Sequence, residues 1–282
     1  MKGCAIGCGA FLLIIILAGV GLYTYISHKV ENVEELDRLS TEIEKSFGTV
    51  DSYKPYDNTP IAIPRLESFL LIRDSLMNNS QEFIEAINKM SDSIENEKDS
   101  SDNSSFWNVI DIISSGVGII PHIINHYYEK AYWQREYEMG FGEYYFLYVT
   151  CYYSFLKKSP GDGPPFQFAD NKGHGIQIND NEDVHFGKEV MEQREIQIRR
   201  KVNEMFLHFF GNLLSNGVAD KNYEQLVEQE LENLRNDKYR LPWENNLPEM
   251  LKNILEPYRT QLENSYDKTL NPLEFKNKND FK

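Results

Sequence analysis

Two histidines four positions apart, His122 and His126, are the first feature of this sequence with the makings of a chemical site. Residues at that spacing project from one face of a helix, so both imidazoles can reach a single ion, and Glu129 follows three positions later. Further along, Glu204 and His208 repeat the spacing. Two such pairs on facing helices would complete a four-ligand site of the kind that holds zinc inside a helical bundle. A metal-dependent hydrolase using His122, His126, Glu204 and His208 is therefore one functional expectation. The His-Glu-x-x-His pattern of zinc proteases is absent, and the competing account has these histidines packed beside aromatic rings on ordinary amphipathic helices, with no cofactor.

Aromatic residues form the second candidate. Between Tyr127 and Phe155 the chain is unusually rich in rings, and Tyr132, Trp133, Tyr137, Tyr144, Tyr145 and Tyr148 are candidate contacts for a ligand or a protein partner. Each tyrosine offers a large apolar face and one hydroxyl, which suits either an interface or a core with polar groups at its rim. Exposure separates the two accounts. A third cluster, His174, Asp180, Glu182, Asp183 and His185, lies in a long loop without the ligand spacing of an EF-hand and reads as a solvated excursion. Nucleophile-elbow, phosphate-loop, dinucleotide and Cys-x-x-Cys signatures are missing, so the expectation leans toward binding rather than catalysis.

The elements that would position these groups are helical throughout, and the fold class expected is all-α. The spacing Leu66, Phe69, Leu70, Leu76, Met77, Phe83, Ile84 and Ile87 predicts one long helix after Pro64, or two with a break near Asn79. A polar loop follows at 95–105, and 106–124 reads as a buried helix that ends or kinks near Pro121. The aromatic stretch is interrupted by Gly140 and Gly142, which predicts two helices meeting there. The loop 159–187 holds five Gly and three Pro, and alternation of Phe166, Phe168, Ile176 and Ile178 allows a small β-hairpin within it. Three more helices are expected: Lys188 to Ser215, one starting after Asn222 with a capping-box Gln225, and one from Pro248 with a kink at Pro257.

Ahead of this body stands a different kind of segment. From Cys4 to Ile26 the chain has 23 residues without a charge, which at about 1.5 Å per residue outruns a hydrocarbon core of about 30 Å. It is too long for a secretory signal and has no persuasive cleavage site, so a single transmembrane anchor in the lipid bilayer is expected. Gly3 and Gly7 provide a small-xxx-small pair that would permit helix dimerisation. The organisation expected is a tail at 1–3, the anchor at 4–26, a helical stalk at 27–47, a connector at 48–64, a helical domain at 65–270 and a loose tail at 271–282. The tiny N-terminal tail favours an exported C-terminal domain, while Lys29, Arg38 and Lys45 after the span count against it.

Charge excludes one class of partner. The 282 residues carry a net charge of -15, and beyond residue 26 there are 28 basic against 44 acidic side chains. Such a surface repels phosphate backbones, so nucleic acid is not expected to bind. The soluble part has a single cysteine, Cys151, among aromatic residues, which reads as a small buried hydrophobe.

The anchor rich in Gly and Cys, the string Pro64 to Leu76 (PRLESFLLIRDSL), Leu241-Pro242-Trp243 and Leu255-Glu256-Pro257-Tyr258-Arg259 together resemble a loose set of uncharacterised bacterial membrane-anchored helical proteins. That resemblance covers about a third of the chain. It implies a bacterial origin, supports the anchor and implies no activity, and the location expected is the bacterial inner membrane.

Overall fold

The computed structural model describes residues 35–85, 87–88, 124–163 and 188–271, and all of their regular structure is helical. Helices α1 (35–47), α2 (Ile63–Asn79), α3 (81–85), α4 (124–136) and α5 (Phe141–Tyr148) are followed by α6 (Lys188–Ser215), α7 (Lys221–Asn236), α8 (Glu249–Leu255) and α9 (Arg259–Asn264). Among the described residues no helix is long and apolar enough to cross a membrane. The expected anchor at 4–26 and the buried helix at 106–124, apart from its last residue, lie outside the described residues. So do the β-hairpin residues 166–178 and the loop cluster from His174 to His185.

Helix α5 is the spine of the molecule. It runs on without interruption into a π-helical stretch, Val149–Phe155, and every side chain from Phe141 to Phe155 except Glu143 is buried. A helix that is apolar all round belongs inside a domain, and here the other helices wrap it. Phe146 stacks on Phe206 of α6 at 5.5 Å, Phe69 of α2 meets Tyr144 and Tyr152 at 5.3 and 5.9 Å, and Phe206 and Phe210 close around Trp243. Trp243 takes a left-handed backbone, φ 50°, which a bulky residue adopts only when its surroundings fix it. Its amide donates to the buried Glu230 carboxylate at 2.8 Å, and Arg240 pairs with that carboxylate at 3.1 Å.

Proline and glycine place the helix ends where expected. Pro64 sits in the first turn of α2, the chain breaks at Ser80 beyond Asn79, Pro248 caps α8, and Pro257 lies in the 3-10 turn that separates α8 from α9. The start of α7 needs a correction. Its cap is Asp220, whose carboxylate accepts from the amides of Asn222 and Tyr223, so the capping box expected at Asn222 and Gln225 is not used.

A larger correction concerns the stalk and the connector. In α1, Leu39 and Ile43 are fully buried, and both belong to the same apolar core as α5 and α6. The extended segment after Gly48 is equally committed. Val50 and Ile61 are buried, the Asn212 side chain donates to the carbonyls of Asp51 and Tyr53, and Ala219 N donates to Asp57 O at 2.9 Å. Two faces of hydrophobic residues interrupted by charges look alike in sequence whether they flank a spacer or a core. Here the domain begins at α1, well before residue 65.

Candidate functional site

The metal ligands expected from the sequence are spread over different surroundings. His126 lies in α4 and is buried against α2 and α3, where Ser80 Oγ and His126 Nδ1 share a 2.9 Å hydrogen bond and the Phe83 ring stacks on the imidazole at 5.2 Å. Burial, reinforced by the charges of Lys130 and Arg73, pushes the imidazole down to about 3, so it is neutral at physiological pH. Glu204 and His208 are exposed on α6, and Glu204 pairs with Arg200 at 3.0 Å. His122 lies outside the described residues, and among the described residues no three His, Cys, Asp or Glu side chains group as a metal site. The cleft beside Ser80 and His126, lined also by Asn79, Glu82, Phe83 and Asn125, has room for about one water.

The six aromatic candidates divide by helix. Tyr144, Tyr145 and Tyr148 of α5 are buried in the core. Tyr132 and Trp133 of α4 and Tyr137 in the turn just after it are half-buried and form a row with Tyr128, in which Tyr132 meets Trp133 edge to face at 5.1 Å and Trp133 stacks on Tyr137 at 6.1 Å. The Arg135 guanidinium covers Tyr132 at 5.5 Å, and Trp133 Nε1 donates to Glu129. Of the six candidates, the three in this outer row are the ones that offer rings to a partner.

What surrounds the buried tyrosines is the least expected part of the structure. Arg73 is fully buried, with its Nε and Nη2 donating to Ser265 O at 3.2 and 3.0 Å, and its Nη1 reaching Tyr144 Oη at 3.3 Å and Leu270 O at 3.5 Å. The rings of Tyr148 and Tyr152 flank the same guanidinium at 5.3 and 5.4 Å. Ser265 ends α9, so the cation sits where the helix dipole is negative. Tyr152 bonds Ser265 Oγ at 2.8 Å, and Tyr153 donates to Asn271 Oδ1 at 3.0 Å. Burial raises the Tyr152 phenol to about 12, against the lowering effects of Arg73 and the Ser265 bond. Lys130 is buried nearby, its ammonium 4.6 Å from the Tyr145 ring centre and 5.2 Å from that of Tyr144, and it donates to Tyr145 Oη. Among the described residues Arg73 meets carbonyls and aromatic rings and no carboxylate, so cation and ring stabilise each other here. The sequence held a signal for Arg73: it occupies the apolar stripe of α2, with Leu66, Phe69 and Leu70 before it and Leu76 after it.

A second site escaped the sequence entirely. The segment Tyr53 to Asp57 and Glu143 of α5 line an open recess of about 360 Å³. Arg65 of α2 holds the Glu143 carboxylate in a two-pronged bond, 2.8 Å from Nε and 2.6 Å from Nη2, and also donates to the carbonyls of Tyr137 and Glu138. One guanidinium thus joins the wall of the recess to the end of the aromatic row. Gly142 makes this possible, because a Cβ there would stand 2.3 Å from Tyr53 Cβ and 2.9 Å from Val50 O. Tyr56 is 41% exposed, and its phenol is raised by burial and by Glu143. Phe47 is also exposed and lies against Gly140, at the turn between α4 and α5.

No family model matches the chain, and neither a curated protein nor a solved structure matches it.

Proposed function

We propose that this protein is a membrane-tethered helical binding domain, held by a single span at residues 4–26 in a bacterial inner membrane with the domain on the extracytoplasmic side. The observation that carries the binding role is the Arg65 junction. It fixes two accessible features side by side: a pocket of small-ligand size and a row of half-buried rings at Tyr132, Trp133 and Tyr137. The tether rests on the 23 uncharged residues from Cys4 to Ile26. The pairing of a lipid-held segment with a strongly acidic body suits a domain that stays beside the bilayer without lying on anionic headgroups.

Alkaline phosphatase and a green fluorescent protein fused in turn after Lys282 test the tether. Phosphatase activity with a dark fluorescent fusion, in a membrane fraction that resists carbonate extraction, is the expected result. A full-length protein that carbonate strips from the membrane, or a bright fluorescent fusion with inactive phosphatase, would sink the anchoring or the orientation respectively.

A further inference from the structure

We propose that the recess between Tyr53–Asp57 and Glu143 takes a neutral, hydroxyl-rich ring, a saccharide, with Tyr56 as its stacking surface and Glu143 and Asp57 as its hydroxyl acceptors. This rests on the reading of the protein as a binding domain and adds the chemistry of what is bound.

Size is the first ground. About 360 Å³ lies at the small end of ligand-site volumes, and the site opens to solvent on one side, which suits the end or edge of a glycan.

The second ground is charge. In a chain of net charge -15, the four charged groups at this place cancel: Lys54 and Arg65 against Asp57 and Glu143. A phosphorylated or polycationic ligand would face no net attraction there. A polyol needs the opposite of a net field, namely donors and acceptors of both signs within reach. Glu143 uses its oxygens toward Arg65 on one side and keeps lone pairs for a hydroxyl donor, while the fork of Arg65 fixes its orientation.

The third ground is the pairing of an exposed ring with a rigid frame. Tyr56 lines the recess and is 41% exposed, and the electron-rich face of a phenol attracts the C–H edge of a sugar ring. The segment carrying it is not a loose loop. Asn212 clamps the carbonyls of Asp51 and Tyr53, Ala219 N holds Asp57 O, and Tyr53 is wedged edge to face on Phe209 at 5.2 Å. A site prepared in this way loses little freedom on binding, which favours weak polar ligands that contribute few contacts.

The test uses the full chain in a zwitterionic detergent without a sugar headgroup. Glucose, N-acetylglucosamine and cellobiose are titrated and followed by saturation-transfer NMR, with glucuronate and glucosamine as charged comparators. At least one neutral sugar should bind at millimolar concentration and more tightly than either charged analogue. Tyr56→Ala and Asp57→Asn should each weaken it roughly tenfold, the scale of one lost ring face or one lost charged hydrogen bond. Asp57→Asn alters only an exposed side chain and keeps the backbone bond to Ala219, so it guards against a variant that merely unfolds. Tyr239→Ala, at an exposed ring elsewhere, should change nothing. Binding insensitive to Tyr56→Ala, or a preference for the charged analogues, overturns the inference. If no neutral sugar binds but a photo-crosslinker at Tyr56 captures a protein partner, the saccharide falls and the binding domain stands. If neither binds, both fall.

Discussion

Helices α4 and α5 are neighbours in sequence, are equally rich in tyrosine, and end up in opposite surroundings. Between Tyr128 and Tyr137 the rings alternate with Glu129, Lys130, Arg135 and Glu136, and although Lys130 turns inward the other three keep one side of the helix wet. From Tyr144 to Phe155 no charge interrupts, and the whole stretch disappears into the interior. Aromatic content therefore says where large side chains are available, and the charges between them decide which helix faces water. Three of the hydroxyls inside α5 and its π-helical continuation are bonded from elsewhere: Tyr144 by Arg73 of α2, and Tyr152 and Tyr153 by Ser265 and Asn271 further down the chain.

The sharpest way to break this contrast is truncation of one ring on each helix. Tyr144→Ala should cost about 3 to 5 kcal/mol, because it opens a cavity in the core and removes a partner of Arg73, whereas Tyr132→Ala should cost well under about 1 kcal/mol. Urea unfolding followed by circular dichroism measures both, and equal losses would mean that the two helices are not inside and outside as described.

An intermediate effect is expected from acid. His126 is neutral in the fold with its pKa lowered to about 3, while the unfolded chain takes up the proton near 6.5. Stability is thus fully present above about pH 6.5 and declines as pH falls from there toward 3, by up to about 1.4 kcal/mol per unit from this group. His126→Leu should flatten that part of the pH–stability curve, and an unchanged slope would remove His126 as its source.

Smallest is the effect of Tyr148→Phe. The Tyr148 hydroxyl is buried with no hydrogen-bond partner among the described residues, so deleting it should leave stability within about 1 kcal/mol or raise it. Tyr152→Phe, which breaks a bond to Ser265, should instead lose about 1 kcal/mol. Reversal of that order in thermal melts would show that the Tyr148 hydroxyl has found a partner.

Much of the helical frame was legible in the sequence, because Pro64, Pro248, Pro257 and Gly140 are local punctuation whose effect does not depend on distant residues. The bounds of α6 followed from an unbroken periodic stripe ending in Ser215. What was illegible depends on contacts far apart in the chain. The burial of Leu39 and Ile43 requires knowing that α5 waits beside them. The recess requires Arg65, Tyr56 and Glu143 to meet, and nothing in their spacing announces it. Among the metal candidates, helical spacing located pairs on one face and left open whether two faces converge, and the exposure of Glu204 and His208 is a property of how α6 lies on the core.

Arg73 sets the order in which this molecule can be finished. Its carbonyl acceptors at Ser265 and Leu270 lie 192 and 197 positions downstream, so during synthesis the guanidinium can meet Tyr144, Tyr148 and Tyr152 well before either carbonyl has left the ribosome. Only the last step, bonding of the guanidinium to those two carbonyls, waits for the end of α9, and nascent chains halted at Asn264 should be more sensitive to protease than the 282-residue chain.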